Sequence, residues 1–268
     1  MMKITILGTG TSTGVPQIGC RCRVCTSTDP RDRRLRCSSL IEVDDATAPE
    51  GVRRILIDCG PDFREQMLGI DFQRLDAILI THEHYDHVGG LDDLRPFSIF
   101  GDVVVYAEHF CAEHLRQRIP YCFTPKDRRY PGVPSIDLEE IEPHQTLRIC
   151  GVEVMPLRVM HGKLPILGFR IGDFAYITDM KSMPDEDVAM LQGVQTMILN
   201  GLRHEQHMTH QTIEEAIEFT HRIGSPETWL IHMSHHILPH AEEEQQLPNH
   251  VHLAYDGEVL KLKDKSEK

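Results

Sequence analysis

Long apolar runs are missing from this chain. No stretch of 18 consecutive apolar residues occurs in its 268 residues, which excludes a membrane-spanning helix on hydropathy grounds. The opening Met1-Met2-Lys3-Ile4-Thr5-Ile6-Leu7-Gly8 carries one lysine but too short an apolar stretch for a secretory leader, so a cytoplasmic protein with no membrane partner is expected. Positive charge is scarce as well: 28 Lys and Arg face 41 Asp and Glu, leaving a formal charge of −13. That balance repels a phosphate backbone unless basic side chains gather in one patch, and it counts against nucleic acid as the substrate. Internal repeats, low-complexity tracts and any composition shift that would mark a boundary are absent too, so one domain over residues 1–268 is expected.

What is present is an ordinary globular composition, 40% hydrophobic and 26% charged, enough for a sizeable core. Apolar runs rich in Ile, Val and Leu end in glycine or polar turns at Lys3 to Leu7, Ser39 to Val43, Arg54 to Ile57, Ala77 to Ile80, Val103 to Tyr106, Val152 to Val159, Phe174 to Ile177, Met197 to Leu199 and Thr228 to Ile231. They read as strands of a buried sheet. Helices are fewer. Pro61 to Leu68 opens on proline and closes at Gly69, and Thr212 to Ile223 places Ile213, Ala216, Ile217 and Thr220 at helical spacing before Gly224. This balance suits an α/β protein of two mixed sheets with helices on their outer faces. Arg116 to Pro134, rich in Pro, Arg, Lys and Tyr, reads as a surface loop, and Lys261 to Lys268 as a frayed charged tail. Cys37, Cys59, Cys111, Cys122 and Cys150 are scattered and read as plain buried thiols.

The chemistry concentrates directly after the strand Ala77 to Ile80, in Thr81-His82-Glu83-His84-Tyr85-Asp86-His87. Residues two apart in an extended segment point the same way, so His82 and His84 can reach one ion. If the chain then turns into a helix, Asp86 and His87 offer a carboxylate and an imidazole to a second. This His-x-His-x-Asp-His pattern, with His161, Asp179 and His232 each just past a later apolar strand, resembles the metallo-β-lactamase superfamily. The resemblance implies an αββα sandwich, with His82, His84 and His161 on one catalytic ion, Asp86, His87 and His232 on the other, and Asp179 bridging. It also implies that Asp58, in Leu-Ile-Asp-Cys-Gly, orients a ligand through a hydrogen bond.

A second cluster, Cys20-Arg21-Cys22-Arg23-Val24-Cys25, lies in a loop at residues 19–25 and offers three thiolates to a tetrahedral zinc that needs one more ligand. His235 supplies it in this reading: three residues past His232, an odd offset in an extended chain turns the two imidazoles to opposite sides. Thr9-Gly10-Thr11-Ser12-Thr13-Gly14-Val15-Pro16, taken with His232-Met233-Ser234-His235, resembles the PhnP-like branch, the phosphoribosyl 1,2-cyclic phosphate phosphodiesterases. In that branch the three cysteines and second histidine hold a structural zinc, and a homodimer is implied.

Two divalent ions close together lower the pKa of a bridging water from about 15.7 toward about 7 and clamp both oxygens of an in-line displacement. Such a centre suits a phosphodiester, and the PhnP-like resemblance implies hydrolysis of a small cyclic phosphate ester, a ribosyl 1,2-cyclic phosphate or a 2′,3′-cyclic nucleotide, by a metal-bridged hydroxide. Zinc, manganese or iron would suit the mixed imidazole and carboxylate ligands. His210-Gln211-Thr212 resembles the His-Ser-Thr of tRNA 3′-processing nucleases, whose histidine donates a proton, so His210 is the expected acid. His204 and His207 read as surface residues of the approach to the helix. Arg95 and Lys163, close to the ligands in sequence, could brace them or meet a phosphate, and Lys126, Arg128 and Arg129 could draw an anion or simply be solvated. A tRNA-processing endonuclease and a thioester or lactam hydrolase are the competing readings of the same centre.

Overall fold

Described here are residues 1–149 and 151–262 of a computed structural model. Cys150, the tail beyond Leu262 and the side chain of Lys126 lie outside the described part. Met2–Gly8 (β1), Ser38–Asp44 (β2), Val52–Ile57 (β3), Ala77–Leu79 (β4), Val103–Glu108 (β5) and Ile136–Ile141 (β6) belong to one sheet. Leu147–Ile149 (β7), Val152–His161 (β8), Leu164–Ile171 (β9), Phe174–Ile177 (β10), Thr196–Asn200 (β11), Glu227–Ile231 (β12) and Val251–Leu253 (β13) make the other, and Val259–Leu262 (β14) returns to the first. These are two mixed sheets of seven strands with helices, in the α/β class expected. Among the described residues no helix is long and apolar enough to cross a membrane.

The chain divides into two compact units, one sheet in each. The first unit comprises Met1–Leu7, Ser38–Glu142 and Gly257–Lys268, with strand order β14-β1-β2-β3-β4-β5-β6. From β3 to β6 neighbours run parallel, and parallel neighbours require crossovers. These are helix Phe63–Leu68 (α1), the short helix Tyr85–Val88 (α2) with the 3-10 segment Leu91–Phe100, and helix His109–Arg118 (α3). Phe63, Val88, Leu91, Leu94, Phe97, Cys111 and Leu115 from these crossovers join Leu56, Ile78 and Val105 of the sheet in one buried cluster, each large side chain contributing about 1.5–3 kcal/mol by leaving water. Gly90, three residues past His87, has no room for a side chain, because a Cβ would collide with the Gly60 carbonyl and Phe63.

The second unit comprises Gly8–Cys37 and Pro143–Asp256. Strands β7 to β10 form an antiparallel meander, then β10 to β13 run parallel. Helices Asp185–Met190 (α4), Ile213–Ile223 (α5) and His240–Glu243 (α6) belong to this unit. Thr212 caps α5 by accepting from Glu215 N–H while the Glu215 side chain accepts from Thr212 N–H, a reciprocal cap worth about 1 kcal/mol. Gly224 ends the helix at φ 71, a left-handed conformation that glycine adopts without a Cβ penalty. Ile213, Ala216, Phe219 and Ile223 turn inward.

Two expectations are corrected. Arg116 to Arg118 form the last turn of α3 rather than the start of a loop, and Pro120–Phe123 and Lys126–Arg128 are 3-10 turns within the remainder. Lys261 and Leu262 pair with Lys3 and Met2 in β14, so that part of the tail is strand, because main-chain ladder bonds do not depend on side-chain polarity. Cys37, Cys59, Cys111 and Cys122 are buried thiols, as expected.

A fully buried guanidinium anchors the second unit. Arg34 donates to Thr9 Oγ1 at 2.9 Å, to the Ala254 carbonyl at 2.6 Å and to His240 Nδ1 at 3.1 Å, and the nearby Asp256 carboxylate accepts from Thr9 Oγ1 and Leu35 N–H. Burial, then the Arg34 and Arg31 charges, pushes His240 down to about 4, against the weaker pull of Asp29 and Asp32. The folded protein therefore keeps His240 neutral where the unfolded chain protonates it. Its contribution to stability is whole above the ordinary histidine value of about 6.5 and is lost as pH falls through about 4. Burial raises Asp256 to about 6, and its effect has the opposite sign over the acid range. Comparing wild type with His240→Gln isolates the histidine: the urea midpoint should drop more in wild type between about pH 7 and about pH 4.5, and parallel titrations would reject the assignment.

Candidate metal centres

In α/β sheets the residues just beyond the carboxyl ends of parallel strands are placed to meet ligands. In the first unit β3 is followed by Asp58, and β4 by the metal motif; in the second, β10 runs into Thr178 and Asp179, β12 into His232. Asp58, Asp179 and His232 have φ of 60°, 55° and 58°. Non-glycine residues pay about 1–2 kcal/mol to stand there, and such conformations gather at functional sites.

The first unit brings together Asp58, His82, His84, Asp86 and His87. Asp58 is wholly buried and accepts from Thr81 N–H and Thr81 Oγ1, each at 2.9 Å, and from His87 Nδ1 at 2.7 Å. Burial raises its carboxyl above the ordinary range, with the opposing pull of His87 next in size. Engaging Nδ1 of His87 leaves Nε2 as the ring's other donor atom, 3.2 Å from Asp86 Oδ2. The rings of His82 and His87 lie 4.2 Å apart, those of His82 and His84 4.5 Å. His84 alone of the four motif residues is exposed, at the start of α2. Thr81, which sequence reasoning passed over, ties the strand exit to Asp58; its place between strand and motif was the available signal.

The second unit gathers His161, Asp179, His210 and His232. His161 Nδ1 donates to the Thr209 carbonyl at 3.0 Å, which leaves Nε2 as the other donor atom. Asp179 accepts from Thr178 Oγ1 at 2.7 Å and stands 3.2 Å from His232 Nε2. The His210 ring lies 4.6 Å from that of His161 and is stacked 4.8 Å from that of His232. His210 Nδ1 is buried with no hydrogen-bond partner among the described residues, 3.9 Å from Asp179 Oδ2. Burial, then the His232 ring, pushes His210 down to about 3. His204 is exposed, as expected, with Glu214 at 2.5 Å and Glu243 at 2.9 Å flanking its ring.

The same unit assembles the cysteine cluster. Donor atoms of Cys20, Cys22, Cys25 and His235 all lie within 4.8 Å of one another, and His235 Nδ1 is 3.3 Å from Cys20 Sγ and 3.5 Å from Cys22 Sγ. Zn–S and Zn–N bonds of about 2.3 and about 2.05 Å at a tetrahedral angle put sulfur and nitrogen about 3.6 Å apart, so the donors fit a zinc. Backbone N–H groups of Gln17, Cys22 and Cys25 donate to Cys25, Cys20 and Cys22 sulfurs at 3.3, 3.5 and 3.4 Å, the support that clustered thiolates need in place of solvent.

The remaining cations divide. Arg95 is engaged with Asp92 at 2.7 Å and with the Gly132 carbonyl, and Arg129 with the Thr124 carbonyl and Ser135 Oγ at 3.0 and 2.9 Å, so both brace loops. Arg128 and Lys163 are exposed.

The sequence profile of the Beta-lactamase superfamily domain matches residues 53–233. A solved diphosphatase of the PhnP family is 38% identical, with a TM-score of 0.87 over 97% of this chain and 96% of that one. A protein of Porphyromonas gingivalis named octanoyltransferase is 48% identical over 257 residues, 96% of this chain, but the chain spans only 51% of that protein's length. Zinc-bound PqqB from Methylobacterium extorquens, 21% identical with a TM-score of 0.75 over 97% of this chain and 100% of that one, shares the fold.

Proposed function

The chain belongs to the beta-lactamase superfamily; from that premise we propose that it is a metal-dependent hydrolase of a small cyclic phosphodiester, a ribosyl 1,2-cyclic phosphate or a 2′,3′-cyclic nucleotide. The observation that carries this reading is the full-length likeness to a PhnP-family diphosphatase, which favours phosphorus over acyl chemistry. In this reading His82, His84 and His161 hold one divalent ion, Asp86, His87 and His232 the other, and Asp179 both, with zinc, manganese or iron as the metal. Two such ions, when bound, supply activated water and neutralise charge growing on phosphorus.

The chain's own residues do the rest. Asp58 fixes the His87 ring so that Nε2 is its metal-facing atom, and the Thr209 carbonyl does the same for His161. His210 gives its proton to the departing alkoxide from the buried Nδ1 that no described residue engages; an anionic phosphate opposite favours the charged ring that burial opposes. Cys20, Cys22, Cys25 and His235 hold a zinc away from the reaction. A cytoplasmic homodimer completes the proposal, and light scattering checks the assembly.

His210→Ala should lower kcat about 10²-fold or more on an alkyl leaving group, far less on p-nitrophenolate, which needs no acid. Bound metal should stay constant by elemental analysis. An unchanged rate on the alkyl ester would remove His210 from the mechanism.

One observation favours a second reading. The P. gingivalis relative carries an acyl-transfer name, and the same ligands would serve thioester hydrolysis. Metal-reconstituted protein assayed against cyclic ribose phosphates, bis-p-nitrophenyl phosphate, a tRNA precursor, acyl thioesters and a β-lactam decides among them. Turnover confined to thioesters or lactam overturns the phosphodiester proposal.

A further inference from the structure

Asn200 ends β11 with its side chain wholly buried, at a depth where an apolar residue is the cheaper occupant. Its carboxamide grips one residue at two points: Met180 N–H donates to Oδ1 at 2.7 Å, and Nδ2 donates to the Met180 carbonyl at 2.9 Å. The same carbonyl accepts from Gln211 N–H at 2.8 Å. Met180 follows Asp179, which stands at φ 55°, and Gln211 follows His210. One side chain therefore holds the peptide behind the bridging carboxylate and, through a shared acceptor, the residue behind the proton donor.

The sheet explains why the clamp sits there. Strands β10 and β11 pair in parallel up to Ile177 and Leu199. Beyond that pair β10 turns away at Thr178 and Asp179, and the main-chain groups of Met180 lose the ladder. Buried amides left without partners cost about 1–3 kcal/mol each, and the Asn200 carboxamide, carrying both a donor and an acceptor, replaces a missing strand. Leucine would fill the space but could not hold the turn.

We propose that Asn200 is a positioning residue that sets the direction of the Asp179 carboxylate and links it to His210, so that affinity for the catalytic ions depends on it. This rests on the dinuclear reading above. The cysteine site, in the same unit but outside the clamp, provides an internal control.

The test titrates metal-free wild type, Asn200→Leu and Asn200→Asp with Co(II), following thiolate-to-cobalt charge transfer for the cysteine site and the weaker visible bands for imidazole and carboxylate sites, with chelator competition for affinities. The leucine variant should bind the catalytic ions about 10–100-fold more weakly, with the thiolate band near wild type and the thermal midpoint lowered by several degrees, since the Met180 N–H loses its partner. The aspartate variant keeps the acceptor for Met180 N–H and loses the donor, so it should also weaken catalytic binding. If the leucine variant fails to fold, the aspartate variant carries the test, and failure of both assigns Asn200 to the core alone and overturns the role. Equal catalytic affinities in all three proteins overturn it, as does loss of both kinds of site together. Wild type that takes up cobalt only at the thiolates defeats the dinuclear reading, and this inference with it, before any variant is compared.

Discussion

Asp179→Ala lowers kcat/KM on a phosphodiester about 10³-fold or more, and the protein retains fewer catalytic ions after dialysis. The expectation follows from position. The carboxylate is buried to 2% exposure, held in a left-handed conformation, fixed by Thr178 Oγ1 and set 3.2 Å from His232. In the proposed centre it is the one ligand common to both ions, so its loss weakens the charge stabilisation that drives displacement; removing a single preorganised donor elsewhere already costs about 10²–10³. Because alanine is strained at φ 55°, Asp179→Asn is the companion: it tolerates that conformation and keeps the shape while removing the charge. An asparagine variant with wild-type turnover and full metal content would remove Asp179 from the centre.

Cys22→Ala should release one equivalent of zinc and lower the thermal midpoint by about 5–15 °C, the shift that a few kcal/mol produces in a chain of this size. Cys22 is bonded to more of its cluster than its fellow cysteines. Its sulfur is 3.5 Å from His235 Nδ1, accepts from Cys25 N–H at 3.4 Å, and lies 3.7 Å from the His235 carbonyl. Burial would push its thiol up, but the bonds from the Cys25 N–H and the His235 ring prevail and bring it down to about 6, so it ionises more readily than Cys25, which burial pushes up to about 12. The loop from Gly19 to Cys25 has no regular structure and buries only Val24, and cross-linking by metal substitutes for a core. An unchanged midpoint with unchanged zinc content would show these thiols to be ordinary packing.

Where the sequence was readable, the reason was local. A strand that must alternate or be buried throughout shows itself in its own few residues, and β10 runs from Phe174 to Ile177 as its apolar run indicates. The misses share a cause. β9, Leu-Pro-Ile-Leu-Gly-Phe-Arg-Ile, contains proline and glycine that disfavour strands, yet it lies between β8 and β10, and a Cβ at Gly168 would press on Val159 and the Tyr176 carbonyl. β6 is acidic because it is an edge strand with only Ile136 and Ile141 buried, and charge on an edge deters further pairing. Helix α3 buries only Cys111, Ala112 and Leu115, too narrow a stripe for periodicity to expose.

By itself the sequence determined the kinds of donor atom, their spacing within each short segment and their station past the ends of strands, because ligand chemistry and strand alternation are properties of neighbouring residues. Only the tertiary structure decided that Thr81 and His87 converge on Asp58, that His235 meets three cysteines more than 200 positions away, and that Asn200 holds the turn behind Asp179. Those pairings join groups distant in the chain, and hydrogen bonds between distant groups leave no period to read.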